Sequence, residues 1–396
     1  MRLSTEHATV SGGLTGVLAF ACTLISAGSY FAQPLVNVIS PSLGLGSWAV
    51  GLPVTLSQVG YCLALLLIAP LGDRIENRRL LLCNLFLSFG ALFTAGLVRT
   101  GGLFLFACFF IGVASIAVQS IVVLAASMSS PVHRGKTVGR ITAGLLFGVL
   151  LAWPAATLIN SRFGWRALYL GDAGLIALLA LVLKVILPVR RPEGGMPYLS
   201  LIRSLPALWR GHPELRRRAL CQALFFGIFS LFWVTAPLEL RTRYDIGAST
   251  LAYFGLIGVG GALAAPVAGW LADRGFTGMT SVVGSTCVAL GCLVWACIDS
   301  FWALLITAFL ISAGVQTCHV IAQRRILLLQ LNAANRLNSL YIATFFAGGA
   351  VGSASASPLF FAHGYLPGCV ALSAATIAWL FGLFINRPAF SMTVSA

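Results

Sequence analysis

The chain has 396 residues, of which 59% are hydrophobic and only 9% charged. Soluble domains are about one quarter charged, so this composition excludes a globule with a water-facing surface. The net charge of +15 does not point to nucleic acid, because the 25 basic residues lie mostly in short breaks between apolar segments, without the clustering that a binding face needs.

In chain order, Arg2 precedes polar residues, and no small-residue cleavage site follows the first apolar run. That run reads as a retained span and not as a signal peptide. Apolar runs long enough for a hydrocarbon core of about 30 Å number twelve, near 14–36, 48–71, 80–98, 103–128, 138–160, 167–188, 219–240, 249–272, 279–298, 302–323, 338–361 and 365–386. Gly101-Gly102 and His363-Gly364 make the shortest breaks. The longest, 190–218, is basic and holds Pro192, Pro197, Pro206 and Pro213.

Basic residues concentrate on the cytoplasmic side of membrane proteins. With both termini cytoplasmic, that side receives Arg2, Arg74, Arg78, Arg79, Arg134, Lys136, Arg140, Lys184 and the seven arginines of 190–218, together with Arg274, Arg324, Arg325, Arg336 and Arg387. These total twenty, against Arg99, Arg162, Arg166, Arg241 and Arg243 outside.

Two stretches 200 residues apart match each other: Ala69-Pro70-Leu71-Gly72-Asp73-Arg74 and Gly269-Trp270-Leu271-Ala272-Asp273-Arg274. Gly148-x5-Pro154 is echoed by Gly352-x5-Pro358, and Gly164-Trp165 by Gly364-Tyr365. Parallel repeats of six spans imply two bundles related by a pseudo-two-fold axis along the membrane normal, with a cavity between them. The expected fold is therefore all-α: an N-terminal six-helix bundle in 1–189, a cytoplasmic linker in 190–218 and a C-terminal six-helix bundle in 219–396.

These residues resemble the major facilitator superfamily, whose signature between spans two and three runs Gly-x-Leu-Ala-Asp-Arg-x-Gly-Arg-Lys-x-x-Leu. Leu71, Asp73, Arg74, Arg78 and Leu81 match it, whereas Ala69, Glu76 and Asn77 depart. Gly269, Leu271, Ala272, Asp273 and Arg274 keep the second copy, and Phe163-Gly164-Trp165-Arg166 looks like the family's lead into span six. Phe31-Ala32-Gln33-Pro34-Leu35, Gln58-Val59-Gly60-Tyr61 and Arg336-Leu337-Asn338 resemble the drug:proton antiporter and arabinose-efflux-like branch. The branch's membrane arginines in spans four and five are replaced here by Cys108 and Trp153.

The resemblance implies a conformational latch of Asp73, Arg74, Arg78, Asp273 and Arg274. In the family the aspartate meets the start of span eleven, here flanked by Asn335 and Asn338. A carboxylate at the positive end of a helix gains roughly 0.3–2 kcal/mol; a solvated loop carboxylate is the competing reading. In this fold spans one, four, seven and ten line the cavity, which offers Gln33, Asn37, Gln119, Gln222, Trp233 and Gln316. Such neutral groups suit a neutral or amphiphilic solute, although each glutamine can instead serve as a packing bond.

Ionisable groups within spans are functional candidates by default. Asp172, in span six, and His319, in span ten, are the proton-coupling candidates, while Glu239 reads as an interfacial pair at the outer end of span seven. The ten cysteines lie in apolar runs without metal spacing and read as packing residues. Gly135-Lys136-Thr137 has neither the preceding strand nor the first glycine of a phosphate loop.

The expectation is a secondary transporter, not an enzyme, without metal or cofactor. It moves a small organic solute by alternating access, as proton-coupled efflux, in a bacterial cytoplasmic membrane. Its partners are the solute, protons and the bilayer, and it is expected to be monomeric. An uncoupled facilitator or importer, or a non-transporting membrane sensor, is the alternative. With the twenty-to-five asymmetry as warrant, a reporter fused at Glu193 should be active only in the cytoplasm; activity outside intact cells reverses the topology.

Overall fold

A computed structural model describes residues 12–130, 133–189, 197–244, 246, 248–330 and 333–385. Among these residues there is no strand. The helices are α1 (Gly12–Tyr30), α2 (Ala32–Ser42), α3 (Leu52–Leu67), α4 (Asn77–Leu97), α5 (Gly101–Ala114), α6 (Ile116–Met128), α7 (Arg134–Phe163) and α8 (Trp165–Ile186). They continue with α9 (Tyr198–Gly211), α10 (Pro213–Thr242), α11 (Ala248–Ala262), α12 (Ala264–Asp273), α13 (Thr277–Cys297), α14 (Phe301–Leu327), α15 (Ala334–Ala362) and α16 (Leu366–Ile385). Short 3-10 turns occupy Ser47–Ala49 and Ala69–Asp73.

Among the described residues, ten helical stretches are long and apolar enough to cross a membrane. The run expected as one span over 249–272 is two helices, α11 and α12, neither of which reaches that length. Proline explains the break. A proline ring clashes with the carbonyl four residues earlier, and α11 ends at Ala262, four before Pro266. The first span is divided by the same rule, since α1 ends at Tyr30, four before Pro34. Gly164, at φ 79°, separates α7 from α8 in a conformation that L side chains rarely adopt.

The segment expected as a linker is partly helical. In α9, Leu201 and Leu205 are buried, Tyr198 donates to the Leu67 carbonyl at 2.8 Å and Arg336 donates to Ser204 Oγ at 2.8 Å. The helix thus sits across the basic end of the molecule, tied to both parts of the chain. α10 begins at Pro213, earlier than the expected 219, because proline suits a first helical turn.

Large apolar side chains face outward, among them Val185, Phe86 and Trp302, as a lipid-facing surface requires. Packing residues account for only part of the cysteines: Cys22, Cys108, Cys221, Cys292 and Cys318 are buried, but Cys83, Cys297 and Cys369 are exposed. One apolar core draws on residues from Leu18 to Leu187. A second draws mainly on Cys221 to Ala378, joined by Ala32, Val54 and Trp153.

The repeat seen in the sequence is a repeated helix contact. A Cβ on Gly144 or Gly148 of α7 would fall on the carbonyls of Ala19 or Thr23 of α1. A Cβ on Gly348 or Gly352 of α15 would fall on those of Ala223 or Gly227 of α10. Small residues permit this close approach where lipid supplies no hydrophobic drive between helices. Thr23 Oγ1 also donates to the Gly144 carbonyl at 2.9 Å. Gly148→Leu should therefore lose about 1–3 kcal/mol by overpacking, read as a lower melting temperature in detergent. Gly139→Leu, on the same helix with open space around it, should melt like the wild type.

Candidate functional site

A cavity of about 110 Å³ lies inside the bundle. Its polar lining comes from two stripes, Ser26, Ser29, Tyr30 and Gln33 on α1 and α2, and Ser57, Gln58 and Tyr61 on α3. Both follow helical spacing, which puts residues three and four apart on one face. Ser115, Val118, Leu145 and Val149 close the N-terminal side, and Phe346 of α15 comes from the C-terminal side. No charged side chain lines it.

Most of these groups are already engaged within the N-terminal part. The Ser29 and Ser115 hydroxyls are 2.6 Å apart, Ser57 donates to the Cys108 carbonyl at 3.1 Å, and Gln119 Nε2 donates to Tyr61 Oη at 3.3 Å. Gln33 differs: it is only 3% exposed, lines the cavity and has no hydrogen-bond partner among the described residues. The Gln33 amide opens onto the cavity, where a ligand can meet it.

Contacts between the two parts of the chain lie along the bundle on either side of the cavity. Toward the basic end, Tyr61 meets the Phe346 ring edge-on at 4.5 Å, and Leu65 shares a core with Leu337, Leu340 and Tyr341. Toward the opposite end, Asn37 Nδ2 donates to the Pro237 carbonyl at 3.0 Å, beside an apolar group of Val36, Val50, Leu238 and Phe360. Between them, Gln58 Nε2 donates to Ser230 Oγ at 2.9 Å and its Oε1 accepts from Ser353 Oγ at 3.3 Å. Thr55 and Ser353 hydroxyls are 2.9 Å apart.

Of the six expected cavity residues, only Gln33 is in the lining, and Gln119 reaches it through Tyr61. Asn37 is committed to Pro237, and Gln222 Nε2 donates to the Val315 carbonyl at 3.0 Å. Gln316 is half-buried on α14 outside the lining. Trp233 is buried edge-on to Trp153 at 4.9 Å. Gln58 and Tyr61 were quoted as a motif and not as a site, and Ser26, Ser29 and Ser115 were missed. The legible signal was a polar stripe at helical spacing in an otherwise apolar span.

The ionisable candidates lie outside the cavity. Asp172 of α8 is 5% exposed, and its Oδ2 has no partner; it packs on Gly28 of α1. Arg166 is occupied elsewhere, 4.3 Å over the Trp165 ring and donating to the Val98 carbonyl at 3.3 Å. His319 Nδ1 is 3.0 Å from Tyr341 Oη. Glu239, three residues before the end of α10, is buried against the protein at 3% exposure, with Trp295 Nε1 donating to its carboxylate oxygens at 3.2 and 3.4 Å.

At the basic end, Asp273 pairs with Arg324 at 2.5 Å, both exposed, and Arg274 stacks on Trp270 at 3.8 Å. Arg78 donates to the Lys184 carbonyl, and Arg74 is exposed. Asn338 accepts from Gln323 at 3.1 Å, and Asn335 is exposed. The side chain of Asp73 lies outside the described set.

The family profile of the Major Facilitator Superfamily matches residues 18–353. The chain belongs to this superfamily. It is a multi-pass membrane transporter and not an enzyme. It is 34% identical over 371 residues to "Uncharacterized transporter YgaY" of Escherichia coli O157:H7, covering 93% of this chain and 94% of that one. It is 34% identical over 369 residues to "Probable transporter SCO4007" of Streptomyces coelicolor, covering 91% and 83%. Among solved structures, a bacterial homolog of the human lysosomal transporter Spinster superposes with a TM-score of 0.71 at 15% identity, covering 95% of this chain and 98% of that one. For this superfamily member, Gln33→Leu should reduce transport about tenfold, equivalent to ~1.4 kcal/mol. Gln316→Leu, outside the cavity, should stay within about twofold of wild type; equal flux in both variants at matched folded protein would remove Gln33 from the site.

Proposed function

We propose that this transporter exports a small uncharged organic solute from a bacterial cytoplasm by alternating access of the central cavity, driven by proton antiport. The observation that carries this reading is the cavity: mostly apolar, with a few neutral polar groups and no charged side chain among the described residues, set where the two parts of the chain meet and faced by Gln33. Twelve spans complete the architecture if α11 with α12 counts as the eighth and α16 as the twelfth. Six then precede the 190–218 segment and six follow, as two bundles in 1–189 and 219–396 related by an axis along the membrane normal. The duplicated glycine contacts support that arrangement. The bacterial relatives and the distribution of basic residues support an inner-membrane protein with cytoplasmic termini, and this reading takes a single chain as the working unit.

Asp73, Arg74 and Arg78, with Asp273 and Arg274, form the latch at the cytoplasmic end in this reading. Asp172 is the proton site. An unpaired buried charge is costly, so proton gain and loss there changes how α8 packs on Gly28. Residues two apart on a helix differ by about 200° in direction, so Gly28 lies on the face of α1 turned away from Ser26 and Tyr30. A change behind Gly28 therefore bears on the helix that lines the cavity.

The second reading is an uncoupled facilitator, favoured by Cys108 and Trp153 at the positions of the branch's membrane arginines: one is buried in the core and the other packs on Trp233. Proteoliposome flux with and without an imposed pH difference separates the two. Antiport predicts a wild type that accumulates solute against its gradient and an Asp172→Asn variant that retains only downhill exchange. A wild type indifferent to the pH difference ends the antiport reading.

A further inference from the structure

Gln58 is the one cavity-lining side chain, among the described residues, whose hydrogen bonds cross to the C-terminal part of the chain. Its donor is spent on Ser230 of α10 and its acceptor on Ser353 of α15. Ser230 and Ser353 are fully buried and do not line the cavity. One face of the amide therefore meets whatever occupies the cavity, while the amide's own bonds join the moving parts.

We propose that Gln58 is both a specificity-determining residue and the bolt that the solute withdraws. A solute seated against Tyr30 and Gln33 takes over the Gln58 amide, and release of Ser230 and Ser353 removes the cavity-side hydrogen bonds that join α3 to α10 and α15, leaving the Thr55–Ser353 pair and the Tyr61–Phe346 contact to part as the helices separate. This rests on the cavity being the solute site.

The chemistry of the amide narrows the solute class. Nε2 needs an acceptor and Oε1 needs a donor to replace the bonds it gives up, since a buried polar group left unmade costs more than the bond itself gains. A carboxylate offers only acceptors and an ammonium only donors, so each leaves half of the amide unsatisfied. A group with adjacent donor and acceptor satisfies both: a primary or secondary amide, a lactam, or neighbouring hydroxyls. The unpartnered Gln33 amide asks for the same pairing, and the Tyr30, Tyr61 and Phe346 rings offer apolar area beside it. The transported solute is thus uncharged and bears an amide-like or vicinal-diol group.

The test is alkylation of a single cysteine reporter at Val149→Cys, a cavity position outside the polar site, in full-length protein with the ten native cysteines replaced. N-Ethylmaleimide reacts with it as the two parts separate. Ser230→Ala combined with Ser353→Ala should raise the solute-free labelling rate at least fivefold. Gln58→Leu, close in volume, should do the same and serves as the second variant should the double one fold poorly. Unchanged rates in folded variants overturn the bolt.

The second arm adds nicotinamide, myo-inositol, nicotinate and benzylamine, each at millimolar concentration, to the reporter protein with Gln58 intact. Nicotinamide or myo-inositol should alter the labelling rate at least threefold, and nicotinate and benzylamine should not. A response to the charged probes alone overturns the solute class. Silence from all four, with the serine variants still labelling fast, overturns the cavity as the solute site and leaves the bolt standing.

Discussion

Between helices in a bilayer, lipid competes as an apolar partner for every leucine, so neighbour spacing depends on how closely two backbones can approach. In this chain that constraint is met twice by the same device. Gly144 and Gly148 admit the carbonyls of Ala19 and Thr23, and Gly348 and Gly352 admit those of Ala223 and Gly227. The first pair holds α7 against α1, and the second holds α15 against α10. Those four helices carry the features on which function turns: α1 bears the first polar stripe, α7 supplies Leu145 and Val149, α10 supplies Ser230, and α15 supplies Ser353 and Phe346. Widening either contact would move cavity walls and not only weaken packing.

The polar groups inside this frame divide into those that are spent and those that are available. Hydroxyls on Thr55, Ser57 and Ser115 each have the carbonyl four residues earlier within hydrogen-bond distance, so they add polarity without demanding a ligand. Gln58 is spent across the chain's two parts, and Gln33 is not spent at all. The two buried carboxylates differ in the same way. Glu239 has the Trp295 indole, whereas Asp172 has an oxygen with no partner and a glycine in front of it. Asp172 Oδ2 is one of several buried polar atoms without a partner among the described residues, Trp233 Nε1 and Ser357 Oγ being others, and it sits directly behind the helix that lines the cavity.

Aromatic packing takes the place of charge in the membrane interior. Trp153 meets Trp233 and Phe254 from the other part of the chain. The contact is edge-on at 4.9 Å to Trp233, a geometry the ring quadrupoles favour by about 0.5–1.5 kcal/mol beyond burial. The ring adds an apolar contact across the interface, which fits a cavity with no charged side chain in its lining among the described residues.

The amino-acid sequence by itself determined the solvent, the helical class, the superfamily and the repeat, because composition, apolar run length and the Asp-Arg, Gly and Pro spacings are local properties of the chain. It also carried Gln33, which stands in a motif at the end of span one. What only the tertiary structure decided was rotation and depth. Asn37, Gln222 and Trp233 were assigned to the cavity by span number, but about 100° per residue turns them onto Pro237, Val315 and Trp153. Glu239 stands near the end of its apolar run, and its burial against Trp295, 56 residues away, is a tertiary contact. In the same way α9 is held as a helix, despite Pro206 inside it, by the apolar surface that Leu205 meets. Pattern along one helix is written in the sequence; which neighbour a side chain meets depends on residues far away in it.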